Sequence, residues 1–598
     1  MSKRRTRRVQ QLYQESLSAR SQRHLAQPLY HSAKWWARRL AAVTSWMVED
    51  AVGKEPGLVV DPFAGSGTTL GEALRLGHRA IGVEINFFAA TLTKEAFAKR
   101  HNELADTYRV ITSEALSEVE PFYNCAGSTG PSGYFWAHEQ QCFSCGKTTL
   151  LMKRHILVSH AYPKKHPLGW ALCPYDRQLF RVNVNRESAL CPCGNEIPLR
   201  SKNGLFRCTF CAASLSPGSS DSGVLRPPDS VLIAVERRAQ GERIFTIPGK
   251  DDLALAHSAD ALNTPLFPMP IINGPSTEQV LRWGYRNWGD LLHPRQRLLA
   301  YAISKRVSQI EDSLLRQQLA ISFSPFFEYH CRLASFKGIG SGTVRQAFGR
   351  PLLHPVSVSF EINPVYGNGE VSISGDPRSW YAMRTAPAAH ALTMLAEKRG
   401  SDVTIGDALD VVAGEADVAI VRANSADVIF PPASIDAIVT DPPYFDRVHY
   451  DDLAGAFTAW LAWCGLEVPP GEQGIQAEDP NRFSEGIFRS LQSSVRGLKS
   501  GGKILFTFHH QELNAWVALA KALAKLPVSG RDLVLVPSEM PNALIKQRAL
   551  APIACDAVLS LAKDRAGQAC ARAAHRRRKR DNSRAGLPDP RGSLSSGR

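Results

Sequence analysis

"GLVVDPFAGSGTTLGEALRLGHRAIGVEIN", residues 57–86, decides the fold. "LVVD" is an apolar run short enough for a buried strand, "TTLGEALRL" a helix stopped by Gly77, and "AIGVE" a second strand. A helix "AATLTKEAFAKR" (89–100) follows. Strand, glycine-rich turn, helix and strand make a βαβ unit, the signature of a parallel α/β sheet.

Downstream the alternation stops for about three hundred residues. Residues 121–216 are rich in Cys, Gly, Ser and Pro, residues 217–275 are mostly loop-like, and residues 276–350 read as helical. Strands and helices return near residue 380. The expected strands are "DVTIGDA" (402–408), "SIDAIVTD", "KILFTFHH" (503–510), "DLVLVPSE" and "DAVLSLAK", with helices "YDDLAGAFTAWLAWC" and "QELNAWVALAKALAK" between them. With the first two this gives about seven strands in two distant blocks, so one sheet interrupted by a large insertion fits best. A further helix is expected over 31–50, "HSAKWWARRLAAVTSWMVED".

The turn "DPFAGSGTT" ends a strand at Asp61 and places Gly65 and Gly67 before a helix. Glycines let the backbone approach a ligand, and the free N–H groups of a helix start suit an anionic group. Glu84 closes the next strand, where an acid can accept hydrogen bonds from ribose hydroxyls. The third glycine of G-x-G-x-x-G is replaced by Leu70, and no Gly-Lys-Ser/Thr follows, so neither the dinucleotide nor the P-loop pattern is met. Alone, the turn leaves a dinucleotide, another adenosine cofactor or plain packing glycines open.

A second unusual stretch is "IDAIVTDPPYFDRVHY", 435–450, where a buried strand runs into Asp441-Pro442-Pro443-Tyr444. Neither proline has an N–H for a sheet ladder. Taken with "DPFAGSGTT" and "GVEIN", this stretch resembles the S-adenosylmethionine-dependent amino-methyltransferases of DNA. "WGDLLHPRQ", "SIDAIVTDPPYFDRVHYDDL" and "GGKILFTFHH" resemble more narrowly the adenine-specific DNA methylases that carry a zinc ribbon. The resemblance implies a Rossmann-like, seven-stranded methyltransferase sheet and methyl transfer to the N6 amine of adenine in DNA. It assigns cofactor binding to Asp61, Phe63, Gly65, Gly67, Glu84 and Asp407, the last as an adenine contact, and catalysis to Asp441, Pro442, Pro443 and Tyr444. Lys34, Trp35 and Trp36 stand where the family has a segment closing over the methionine end.

The motif suits that chemistry. An exocyclic amine conjugated to a heterocycle is a poor nucleophile, because its lone pair is delocalised. The Asp441 side chain and the Pro442 carbonyl, fixed by locked proline φ angles, would hold its hydrogens and favour a pyramidal nitrogen. Tyr444 would stack on a base taken out of the helix. The same motif would serve N4 of cytosine or an RNA base, and a third reading is an inactive zinc-containing nucleic-acid-binding protein.

Eight of the twelve cysteines fall between Cys125 and Cys211, more like a metal cluster than a disulfide set. Cys191-x-Cys193 and Cys208-x2-Cys211 are two pairs fourteen residues apart, which suits one four-thiolate zinc ribbon. A second site would use Cys142, Cys145 and Cys173, with Asp176, His160 or His166 as fourth ligand. The expected zinc is structural. The resemblance implies that target recognition lies in the insertion, as in DNA methylases with this order of motifs, and there Arg282, Arg286, Arg295, Arg297 and Lys305 could follow a phosphate backbone.

The 71 Lys+Arg against 56 Asp+Glu give +15, a surplus that suggests a polyanionic partner. Part of it lies in "MSKRRTRR" and in "HRRRKRDNSR" (575–584), runs that read as solvated tails. No apolar run reaches membrane-spanning length and no signal-peptide core follows the basic start, so a cytoplasmic protein is expected. Partners of the restriction or phage-defence kind go with the resemblance alone. The expected partition is 1–115 (first half of the core), 121–216 (zinc ribbon), 217–375 (target recognition), 380–565 (second half of the core) and 570–598 (basic tail).

Overall fold

The computed structural model describes residues 28–565 apart from 31, 37, 124–129, 201–204, 219–224, 240–241, 261–263, 341–343, 350–351, 367–374, 444–448, 472–473, 476–478 and 538–554. Two basic runs, the C-terminal tail, Cys125 and Tyr444 therefore lie outside the described residues.

The protein is built on a mixed α/β sheet of seven strands: β1 (Leu58–Asp61), β2 (Arg79–Glu84), β3 (Val418–Arg422), β4 (Ile435–Thr440), β5 (Leu498–Phe508), β6 (Val528–Pro537) and β7 (Cys555–Lys563). Their spatial order is β3-β2-β1-β4-β5-β7-β6. β1 lies parallel between β2 and β4, with Val60 opposite Ile81 on one side and Ile438 on the other. Only β7 runs against its neighbours. The first block thus supplies two strands and the second block five, and the insertion leaves and rejoins the chain between adjacent strands.

The apolar runs follow from burial on both faces, which removes any reason for alternation. On one face Val59, Val439 and Leu505 pack against helices α1 (Ala41–Val52) and α2 (Thr68–Arg75) through Val43, Trp46, Leu70 and Leu74. On the other, Val60, Ile438 and Phe506 meet α5 (Pro480–Gly497) and α6 (Leu513–Ala524) through Phe483, Ile487 and Leu519. Helices α3 (Phe87–Phe97) and α4 (Tyr450–Trp463) complete this half.

Two expected elements differ. Residues 402–408 do not form a strand: only Ile405 bridges to Val418, and β3 comes from 418–422 instead. Asp407 is drawn off as the N-cap of a short helix over Ala408–Ala413, accepting from the N–H groups of Leu409 and Asp410. The first helix starts at Ala41, not at 31, because residues ahead of it are spent on tertiary contacts. Trp36 donates to the Phe348 carbonyl at 3.1 Å and Arg38 to that of Ala33 at 2.6 Å.

The insertion carries an antiparallel sheet of strands 131–141, 148–150, 229–239, 242–246 and 358–362. Stretches on both sides of residue 216 contribute to it, since 131–141 pairs with 229–239 and 358–362. Helices over 294–308 and 313–323 share one apolar core with α3 and α4. Phe326 stacks on Trp460 at 5.1 Å and Phe327 on Trp463 at 5.6 Å, so the insertion is welded to the sheet's helical layer. Arg295 belongs to this core and does not face outward: it pairs with Glu361 at 2.7 Å and lies 3.9 Å over the ring of Tyr134. Among the described residues no helix is long and apolar enough to cross a membrane.

Candidate active site

β1 and β4 are neighbours and parallel, so Asp61 and Asp441 emerge side by side at their carboxyl ends. That is where ligands sit in an open α/β sheet. Asp61 is buried and accepts from Thr440 Oγ1 at 2.5 Å and from the Phe63 N–H at 3.0 Å. These donors are neutral, and burial pushes its carboxyl up to about 6. Asp441 accepts from Thr507 Oγ1 at 2.6 Å and pairs with Arg39. Burial raises its pKa too, with Arg39 and Thr507 acting against the rise. The other arm of Arg39 reaches Asp556 Oδ2 at 2.5 Å, and Asp556 Oδ1 lies 2.8 Å from His509 Nδ1. Burial alone would raise Asp556; His509 and Arg39 hold it below the usual carboxylate range. Arg39 thus ties the end of β4 to β7.

These ends open into a cavity of about 700 Å³, lined among others by Trp35, Phe63, Gly65, Glu84, Pro442 and Pro443. Gly65 and Gly67 adopt φ of 54° and 84°, the left-handed region open to glycine. A Cβ at Gly67 would lie 2.7 Å from Thr93 Cγ2, and one at Gly65 would lie 3.2 Å from Trp35 Nε1. Glu84 accepts the Gly65 N–H at 2.7 Å through one oxygen and the Asn86 N–H at 2.8 Å through the other. Burial pushes it up to about 7 against those two hydrogen bonds. Trp35 stacks on Tyr450 at 5.2 Å and 15° at the cavity wall. Glycine turn, buried acid and flat aromatic wall fit an adenosine-bearing cofactor such as S-adenosylmethionine.

Asp61, Phe63, Gly65, Glu84, Asp441, Pro442 and Pro443 therefore line one cavity, and Gly67 shapes its turn. Asp407 is not among the lining residues and serves its own helix as a cap. Sequence reasoning missed Arg39, Thr507, Tyr450 and Asn273. Tyr450 carried a readable signal, an aromatic at a helix start six residues after the motif. Asn273 comes from the insertion and arrives because the Asp452 carboxylate at the start of α4 accepts the Ser276 N–H at 3.1 Å. A Cβ at Gly274 would overlap that carboxylate.

Residues 47–95 match the family model described as DNA methylase (N6_N4_Mtase). This stretch is similar to the DNA methylase family. It runs from α1 through the glycine turn and Glu84 to α3. No curated protein matches the chain. Among solved structures, a protein of Thermus thermophilus provisionally described as a DNA modification methylase is 17% identical over 27% of this chain and 52% of its own, with a TM-score of 0.15. A SAM-dependent methyltransferase of Methanosarcina mazei is 11% identical over 25% of this chain and 68% of its own, with a TM-score of 0.16. The N-methyltransferase NodS of Bradyrhizobium japonicum is 8% identical over 29% and 69%, with a TM-score of 0.15. The chain spans about half, 52%, of the first of these.

Beyond the DNA methylase stretch, seven described cysteines and one aspartate form two clusters. They are Cys142, Cys145, Cys208 and Cys211, and Cys173, Asp176, Cys191 and Cys193. The expected grouping of Cys191, Cys193, Cys208 and Cys211 is therefore wrong: the inner knuckles pair with each other and the outer knuckles close around them. Each knuckle is the turn of its own hairpin, as at 168–183 and 188–198. Within each cluster the candidate ligand atoms all lie within 4.8 Å of one another. Cys142 to Cys211, Cys145 to Cys208 and Cys173 to Cys193 are each 3.6 Å between sulfurs. Zinc–sulfur bonds of about 2.3 Å give tetrahedral edges of about 3.8 Å, so both donor sets fit zinc.

Proposed function

We propose that the chain is a DNA methyltransferase that moves a methyl group from S-adenosylmethionine to the exocyclic N6 amine of adenine, with the base turned out of the duplex. The observation that carries this reading is the convergence of Asp441-Pro442-Pro443 and the Gly65–Gly67 turn on one cavity, from strands adjacent in space but 380 residues apart, Asp61 to Asp441. S-adenosylmethionine supplies an electrophilic methyl group when bound. Binding and orienting it falls to the glycine turn, Glu84 and the Trp35 wall. Asp441 Oδ and the Pro442 carbonyl hold the two amine hydrogens, so that the nitrogen lone pair turns toward the methyl group. Thr507 and Arg39 fix the Asp441 carboxylate and favour its ionised, accepting form. Unstacking the base costs a few kcal/mol, which an aromatic partner offsets. Tyr444 and the Trp35–Tyr450 pair are that partner set.

In this reading 1–115 and 380–565 form the catalytic core, 121–216 the metal module and 217–375 the recognition part. Both clusters hold structural zinc, with four protein ligands each and no open position.

The test is incubation of the purified chain with methyl-labelled S-adenosylmethionine and unmethylated duplex DNA, with structured RNA in parallel and Asp441→Ala as control. Nucleoside mass spectrometry is expected to find N6-methyldeoxyadenosine, absent with the variant. Label in N4-methyldeoxycytidine or in RNA alone would keep the chemistry and replace the substrate. No transfer despite cofactor binding would sink the enzyme reading.

A further inference from the structure

A second cavity, about 920 Å³, lies on the insertion. Four guanidinium side chains line it, Arg226, Arg286, Arg297 and Arg332, against two carboxylates, Asp229 and Asp290. The way these arginines are held sets the cavity apart from an ordinary charged face. Arg286 donates to the carbonyls of Leu281 at 2.8 Å and Tyr285 at 3.0 Å. Arg297 donates to that of Gly289 at 2.9 Å, and Arg332 to that of Leu292 at 3.2 Å and to the Ser230 hydroxyl. None of these acceptors is charged. Among the described residues, Asp290 is the one carboxylate within 4.0 Å of any of the four, 3.9 Å from Arg297. Its Oδ2 is committed to the turn, accepting the N–H groups of Arg286 at 3.0 Å and Asn287 at 2.7 Å. The fold thus gathers four guanidinium groups at one cavity and holds three of them on neutral acceptors, which leaves their charge for something else to balance. Arginine forks match phosphate oxygens.

The cavity is also tied to the Asp441 cavity. The Ile271 N–H donates to the Arg286 carbonyl at 2.8 Å, and the Trp288 N–H to that of Met269 at 2.9 Å. Two residues past Ile271, Asn273 lines the Asp441 cavity.

We propose that this four-arginine cavity binds phosphodiester groups of the DNA strand that carries the target base. The proposal rests on the DNA methyltransferase reading, and its test separates the two. Binding of the full chain to duplex DNA is measured between about 50 and 200 mM salt, where the slope of log K against log salt counts neutralised phosphates. Arg226→Ala and Arg286→Ala alter exposed side chains, and Arg297→Ala a half-buried one. Each is expected to weaken binding and lower the slope by about one, and the Arg226/Arg286 double variant by about two. Arg109→Ala, whose exposed side chain is paired with Asp106 and lies outside the insertion, is the control expected to leave the slope unchanged. Cofactor affinity verifies folding, and Arg286→Glu gives a second, charge-reversed variant expected to weaken binding more than Ala. Methyl transfer to DNA is recorded in the same samples. A lowered slope without methyl transfer would keep this site and remove the enzyme reading. Methyl transfer with all slopes unchanged would overturn the site alone. Competition by inorganic phosphate at constant ionic strength, with slopes unchanged, would show a small-anion site and overturn the proposal as well.

Discussion

The strand ends of the core and the cysteine hairpins of the insertion face the same assembly problem and solve it differently. Each brings together groups that are distant in the chain. In the core, Asp61 and Asp441 meet because two apolar runs must lie side by side, and a parallel sheet fixes both ends on one edge. In the insertion no strand dictates which knuckle meets which. Apart from 131–141 the hairpin strands flanking the knuckles are two to five residues long, and strand patterning does not dictate the pairing of 142/145 with 208/211 around 173/176 and 191/193. Periodicity therefore exposes the first arrangement, while spacing is silent on the second.

The largest expected effect breaks the nested pairing. Removing a structural zinc forfeits roughly 10 kcal/mol of binding that is also folding energy. Cys142→Ser with Cys211→Ser strikes one cluster, and metal analysis should fall by one equivalent. Cys191→Ser with Cys208→Ser strikes both, and two equivalents should go. If that second pair removed only one, the sequential grouping would be right after all. Next in size is Asp441→Ala, which deletes the oriented acceptor at the amine. Single-turnover methyl transfer should drop about a hundred- to a thousandfold, the usual loss of one preorganised group, with cofactor affinity retained.

What could be read in advance follows the same line. β1, β2 and β4 are apolar runs with an acid at the carboxyl end or just past it, so the strands and the acids that line the cavity were visible together. "DVTIGDA" reads as a strand on composition, yet Asp407 caps a helix that starts one residue later, and local capping overrode β-propensity. The real edge strand, 418–422, has an ordinary five-residue pattern with nothing to mark it. Trp35 and Trp36 lie in the expected helix 31–50 but are claimed by Tyr450 and Phe348, contacts more than 300 residues away. Arg39 was hidden for the same reason: only the fold places it between Asp441 and Asp556.

Glu84 sharpens the contrast on the core side through stability. Its carboxyl rises from 4.5 to about 7 because it is buried. Between those values the folded state binds more protons than the unfolded chain, so stability falls as pH rises through that window. The full effect is roughly 3 kcal/mol at about 1.4 kcal/mol per unit. Urea unfolding of the cofactor-free protein at pH 5 and pH 8 should show the decline. Glu84→Gln should flatten it in part, since Asp61 and Glu95 are pushed up to about 6 and about 7. An unaltered decline in Glu84→Gln would mean that the carboxyl titrates normally.

Arg39 carries the smallest effect and the most diagnostic one. Its guanidinium contacts the Asp441 carboxylate directly and counters the rise that burial imposes. In the proposed reaction the amine needs the ionised, accepting form, so activity is expected to disappear as pH falls through the Asp441 pKa. Arg39→Ala removes the opposing charge and moves that pKa further up. The acidic limb of kcat/KM should therefore shift to higher pH by about one unit or more, the usual influence of an adjacent cation. Well above the limb the variant should keep most of its rate. Arg39→Lys retains the charge but loses the fork that reaches Asp441 and Asp556 together, so it should return the limb toward its original place while lowering the thermal midpoint. A limb that stays put while the rate drops at every pH would make Arg39 a strut for β4 and β7 with no electrostatic part in the site.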